Sequence, residues 1–462
     1  MNGYGAVALG VLVAGVFPCM VGALCLAPWL AGRTGDRLVA AGLMYPAGAT
    51  LISLTMLGLG LLGLPLDRRS IGALALLAAA VLGAVAWRAL VTGGAVAGES
   101  PEPPPSGLPR PIAIGLGTLV ASKIVFVFFD AVRKPIEVWD AFAVWTMRAK
   151  VWSSRQSLVL DPADPFYLGG GARTDYPPHV SLLHAWVAIG IGEWNDVLVN
   201  LPWAFYYLSA VVLIYAVVRR ACSSDWAMVG AVGLSGLPLF VIHATHAGYA
   251  DGILAVHFLA VAALGYTADC ARGRADTDRV AWLVLWVGFV LSLPLVKLEG
   301  VPLMVAGALG LAARSSGTSG GSAKRRATAL AAVAVTVAVA VVFALFNQAL
   351  RNYVASTELH VGALRAVLLD LFAQGNWNIL WFLFWGLIAV RFRSLRGSAA
   401  GRLALVVAAP FVPFLYVLCF TDAWRFAANQ TADSRLFLAV APAAVLFVVV
   451  AMAGIWRQAR RR

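Results

Sequence analysis

The chain has 462 residues, of which 61% are hydrophobic and only 12% charged, and its mean hydropathy is +0.83. A soluble domain is roughly half apolar and about a quarter charged, so a water-soluble enzyme is excluded; apolar runs of about 20 residues recurring along the chain imply an all-α polytopic membrane protein. The net charge of +13, from 35 Lys and Arg against 22 Asp and Glu, is broken into short clusters between those runs. It therefore marks cytoplasmic loops and attraction to membrane lipids, not a nucleic-acid-binding face.

From the N-terminus, spans are predicted near residues 5–31, 38–64 and 71–94, which form a three-span module over 1–97. The first run lacks a basic leader and continues to about Leu30, too long for a cleaved signal segment, so it reads as a retained span. Residues 98–110 are Pro-rich and read as an extended cytoplasmic linker. Residues 111–456 read as the catalytic membrane domain, with spans near 111–130, 198–218, 225–243, 252–269, 280–296, 299–313, 327–349, 377–390, 403–420 and 436–456. The total is about 13 spans, followed by a basic tail over 457–462.

Basic clusters at Arg33 and Arg37, Arg219 and Arg220, 272–279, 314–326, 391–402 and the tail fall on one side, which is the cytoplasmic one. Arg68 and Arg69 are the exception to this alternation. The N-terminus is then outside and the C-terminus inside. The five cysteines, Cys19, Cys25, Cys222, Cys270 and Cys419, lie in or beside apolar runs and form neither a disulfide framework nor a zinc motif.

The longest connection, 131–196, is placed outside and holds five of the sixteen tryptophans. Within it Trp139, Phe142, Trp145 and Val151 recur at near-helical spacing beside Arg148 and Lys150, which predicts an amphipathic interfacial helix. His179 to Gly192 is apolar but too short to span, and reads as a second interfacial or re-entrant helix. The remaining outer segments carry Tyr249 and Asp251, then Lys297 and Glu299, then Asp422, Arg425, Asp433 and Arg435. Ionisable residues at span ends require partners or a watery cavity, so they are candidate functional residues.

Asp140, among aromatic rings and near Arg148 and Lys150, has the surroundings of a tunable base, although an Asp at this place also suits a helix cap. Asp175 to Pro178 is ordinary helix-start chemistry when read alone. His179 with His184, and His243 with His246, lack acids at ligand spacing and read as core or interfacial histidines, so a metal site stays undetermined.

The order WDAFAVWTMRAKVW, DYPPHVSLL, HAGYADGILA, VKLEG and DSRLFLAVAP resembles the integral-membrane glycosyltransferases of the GT-C superfamily over roughly 111–456. The likeness is greatest to bacterial members related to protein mannosyltransferases and aminoarabinose transferases. The resemblance implies that Asp140 is the catalytic base and that Asp175 to Pro178 shape the same site, with Trp139, Asp175 and Tyr176 on the sugar side. The second acid common in mannosyltransferases is replaced by Ala141, which leaves the need for a divalent cation open. The implied reaction moves a sugar from a polyprenyl phosphate to a hydroxyl on a glycan, lipid or protein. It needs a base for that hydroxyl and cations for the departing phosphate. Lys297, Arg425 and Arg435 are the phosphate candidates, with Arg148 and Lys150 as alternates; Tyr249, Asp251 and Glu299 are candidates for the sugar or for holding those cations. Two alternatives stand beside this reading. A polyprenyl-diphosphate-dependent ligase or polymerase would tolerate loss of Asp140, and a flippase or secondary transporter would place its polar residues near the bilayer midplane.

Overall fold

The computed structural model describes residues 3–31, 37–92, 107–169, 172–270, 276–316 and 358–460. Their regular elements are all helices, with no strand among the described residues. In chain order the helices are α1 (Tyr4–Cys25), α2 (Arg37–Leu61), α3 (Arg68–Thr92), α4 (Arg110–Ala131), α5 (Met147–Arg155) and α6 (His179–Ile191). They continue with α7 (Leu201–Ala221), α8 (Ser224–Ser235), α9 (Pro238–Thr245), α10 (Ala250–Cys270), α11 (Asp276–Val296) and α12 (Gly300–Ser316). The C-terminal part contains α13 (Val361–Phe372), α14 (Leu380–Leu395), α15 (Ala399–Ala408), α16 (Phe411–Phe420), α17 (Trp424–Ala428), α18 (Asp433–Leu438) and α19 (Ala441–Ala459).

Among the described residues eight helices are long and apolar enough to cross a membrane: α1 to α4, α7, α10, the α15–α16 segment and α19. This is the architecture of a polytopic membrane protein. A ninth span arises if α8 and α9 are joined, although they bend by 61° where they meet. The bend has a local cause: Pro238 opens α9 and holds Leu237 in extended backbone, so the helix cannot run through. The apolar parts of α11 and α12 are shorter helices, α14 covers the span expected at 377–390, and the span expected at 327–349 lies outside the described residues.

The first three helices are fastened to the rest. Gly42 on α2 meets Leu213 on α7 so closely that an added Cβ would lie 2.7 Å from the Leu213 Cα. Within α1 the turn Leu12–Val16 is π-helical, and its carbonyls take outside donors: Trp186 Nε1 bonds Val13 O at 2.9 Å and Tyr45 OH bonds Ala14 O at 3.0 Å. Trp186 belongs to α6, expected as an interfacial or re-entrant helix. Every residue from His179 to Gly190 is buried, because this helix is apolar on all sides and is enclosed by its neighbours.

Helix α10 is the buried axis of the bundle and carries an acid near each end. Asp251 and Asp269 stand about 27 Å apart along it, at 1.5 Å per residue, close to the thickness of a hydrocarbon core. Asp269 Oδ2 accepts from Arg402 Nε on α15 at 2.6 Å. Asp251 belongs to a larger cluster at the opposite end.

Candidate functional site

The cluster begins where α4 ends. Lys134 pairs with Asp130 at 3.1 Å, a short non-helical stretch follows, and Asp140 then precedes the π-helical turn Ala141–Thr146 without a capping hydrogen bond from its side chain. One continuous amphipathic helix was expected over this region. The wider π turn changes the register, leaving Trp139 and Phe142 exposed while Trp145 and Val151 are buried. It also frees carbonyls for side chains: Arg148 Nε bonds Val144 O at 3.1 Å and Ser181 Oγ bonds Trp145 O at 2.8 Å.

Arg148 also donates to Tyr176 O at 2.7 Å and to Pro177 O at 3.1 Å, and it is buried. Its guanidinium therefore ties the DYPP element to the helical segment behind Asp140. Burial pulls its pKa down to about 10, so it stays charged at neutral pH. Beside it, Arg173 bonds both oxygens of Asp175 at 3.0 and 3.1 Å and stacks on Tyr176 at 4.5 Å.

The HAGYAD segment closes on this loop through a glycine. Gly248 has φ +108, and a Cβ there would lie 2.3 Å from the Ala141 Cβ, so only glycine permits the approach. Trp203 Nε1 holds the next residue by bonding Tyr249 O at 2.9 Å. Asp251 is thereby brought beside Asp140, and α18 supplies the cation that joins them. Arg435 Nη1 lies 2.5 Å from Asp140 Oδ2, its Nε and Nη2 lie 3.2 and 3.1 Å from Asp251 Oδ2, and its guanidinium stacks 4.4 Å from the Tyr249 ring.

The KLEG turn completes the row. Gly300 sits where a Cβ would lie 2.1 Å from Leu293 O, which lets the chain reverse tightly between α11 and α12. Lys297 Nζ then reaches Asp251 Oδ1 at 2.7 Å and Glu299 Oε1 at 2.8 Å. Burial by itself would lower the pKa of both cations. For Lys297 the charges of Asp251 and Glu299 outweigh burial, for Arg435 those of Asp251 and Asp140, and both cations are held above their ordinary values. The result is an alternating chain, Asp140, Arg435, Asp251, Lys297, Glu299, with three acids to two bases. Glu299 Oε2 is buried and accepts no hydrogen bond from the described residues.

Other sequence candidates have different partners. Lys150 pairs with Asp196 at 3.2 Å and lies over Trp194, while Arg425 is exposed and donates to the nearby Asp422 carbonyl. Trp139 is 78% exposed and offers its ring beside Asp140. Among the described residues no group of three or more His, Cys, Asp or Glu side chains is placed to hold a metal ion. His179 and His257 instead flank Tyr206 OH at 3.0 and 3.2 Å, and His257 Nδ1 meets Ser292 Oγ at 2.7 Å, a buried polar chain joining α6, α7, α10 and α11.

No family model, curated protein or solved structure matches the chain. The site's glycine hinge, Gly248, escaped sequence reading, although a Gly beside an aromatic and an acid is the available signal.

Proposed function

We propose that the protein is a GT-C-type membrane glycosyltransferase that moves a sugar from a polyprenyl-phosphate donor to an acceptor hydroxyl on a glycan, lipid or protein. In this reading it sits in the bacterial cytoplasmic membrane with its site on the extracytoplasmic side. It crosses about 13 times: the eight long spans, the α8–α9 pair, α11, α12, α14 and segment 327–349, with 131–196 as the outer loop. The observation that carries the proposal is the meeting of Asp140 with Arg435, a carboxylate and a cation in one partly open site.

The chemistry follows from the two charges. The Asp140 carboxylate takes the proton of the acceptor hydroxyl as its oxygen bonds the sugar C1. The C1–O bond to phosphate breaks, and its electron pair leaves on the phosphate oxygen, where Arg435 and Lys297 offset the growing charge. A single displacement of this kind inverts the anomeric centre. Trp139, Tyr176 and Tyr249 offer ring faces and hydroxyls to the sugar, and Asp175 and Glu299 offer acceptors for its hydroxyl groups. Asp251 holds both cations.

The test is transfer of labelled sugar from a panel of polyprenyl-phosphate sugars by membranes containing the protein, with the anomeric configuration of the product determined. Transfer with inversion is expected; retention, or no transfer with any donor, overturns the proposal.

A further inference from the structure

The proposed mechanism leaves a conflict in the site: the base that must receive a proton already accepts from a cation, and the cation that must receive a phosphate is already bonded to two carboxylates. The geometry of Arg435 resolves it, because its two edges differ. The Nε and Nη2 edge is held by Asp251, whose side chain is 2% exposed and whose other oxygen is fixed by Lys297. The Nη1 edge meets Asp140, whose side chain is 35% exposed and which begins a π-helical turn after a non-helical stretch. A guanidinium has five N–H donors, so an anion arriving from the open side finds Nη1 and the second Nη2 hydrogen in one plane.

We propose that donor binding proceeds by ligand exchange at Arg435: the donor phosphate displaces Asp140 from Nη1, and the displaced carboxylate becomes the free base. The inference rests on the transferase reading and adds its order of events. Asp251 is the positioning residue, since its bond to the inner edge keeps Arg435 still while the outer edge changes partner. Without a donor, Oδ2 of the base is engaged by Arg435.

The experiment measures equilibrium binding of farnesyl phosphate, a short isoprenyl phosphate monoester, to the purified full-length protein in nanodiscs, with unfolding temperatures recorded for each variant. Asp140→Asn removes the competitor and is expected to bind about three- to fivefold more tightly, the range of a partly exposed ion pair. Arg435→Gln is expected to bind at least about tenfold more weakly. Unchanged or weaker binding by Asp140→Asn, unchanged binding by Arg435→Gln, or no binding by the wild type overturns the exchange. The two claims fail separately. A wild type that transfers sugar while Asp140→Asn binds no more tightly keeps the transferase and loses the exchange. Tighter binding by Asp140→Asn in a protein that transfers no sugar keeps the exchange and loses the transferase.

Discussion

Arg435 Nη1 lies 2.5 Å from Asp140 Oδ2, although 295 positions of sequence separate the two residues. The contact exists because three segments converge on it: the π turn that follows Asp140, the Gly248 loop beside it, and α18, which carries Arg435. Each segment can be changed separately.

Gly248 controls the approach of the HAGYAD loop. A methyl group there meets the Ala141 Cβ at 2.3 Å on a backbone with φ +108, so Gly248→Ala separates Asp140 from Tyr249 and Asp251. Transfer is expected to fall about tenfold or more while the protein still reaches the membrane. Activity and membrane content measured together check this, and a variant within twofold of wild type refutes the spacing role.

Asp251 is buried between two cations, and removing its charge leaves Lys297 with Glu299 alone and Arg435 with Asp140 alone. Asp251→Asn is expected to destabilise the protein by about 3 to 5 kcal/mol, the usual effect of breaking a buried ion pair. Thermal unfolding in detergent against wild type measures it. A shift no larger than that of an exposed pair such as Lys150 with Asp196 contradicts the assignment.

Arg148 acts through three carbonyls that a lysine cannot hold at once. Arg148→Lys keeps the charge but loses the planar set of donors that ties Tyr176 and Pro177 to Val144. The DYPP element should loosen, seen as faster proteolysis within 157–178 and a higher KM. Wild-type proteolysis and KM would instead indicate that charge alone suffices.

A pH dependence follows from two buried acids away from the ion chain. Asp370 accepts from Asn376 Nδ2 and Trp377 Nε1, and burial, with the nearby Asp433 carboxyl adding to it, pushes its pKa up to about 6. Burial also raises Asp433, whose two oxygens accept no hydrogen bond from the described residues. Carboxyls raised in the fold above an unfolded value of about 3.9 bind protons more tightly when folded. The stability contribution of Asp370 is therefore full below about pH 4 and is lost as pH rises through about 6, and that of Asp433 is lost in the same direction. Asp433→Asn mimics the protonated form, so its unfolding temperature should exceed wild type at pH 7.5 and match it at pH 4. A gain of equal size at both values contradicts this origin.

Much of the architecture is legible in the sequence because long apolar runs leave few alternatives to helix in a membrane. The bend at Pro238 and the burial of His179 to Gly190 are less so: the first depends on one imino acid within an otherwise suitable run, the second on which neighbours enclose a helix that is apolar all round. In the site, Asp140, Asp251, Lys297, Glu299 and Arg435 are each visible as charges at span ends. Their pairing is not, because it depends on Gly248 and Gly300 permitting contacts that no local pattern encodes. The three carbonyl partners of Arg148 are likewise not legible in the sequence, since they lie on two segments that only the fold brings together.

The most direct test of the central claim compares wild type with Asp140→Asn at matched membrane content, measuring labelled sugar transferred from a polyprenyl-phosphate donor. Loss of transfer by about 10²-fold or more in the variant is the expected result for a general base. Equal transfer by the two proteins would remove Asp140 from the chemistry and contradict the proposed mechanism.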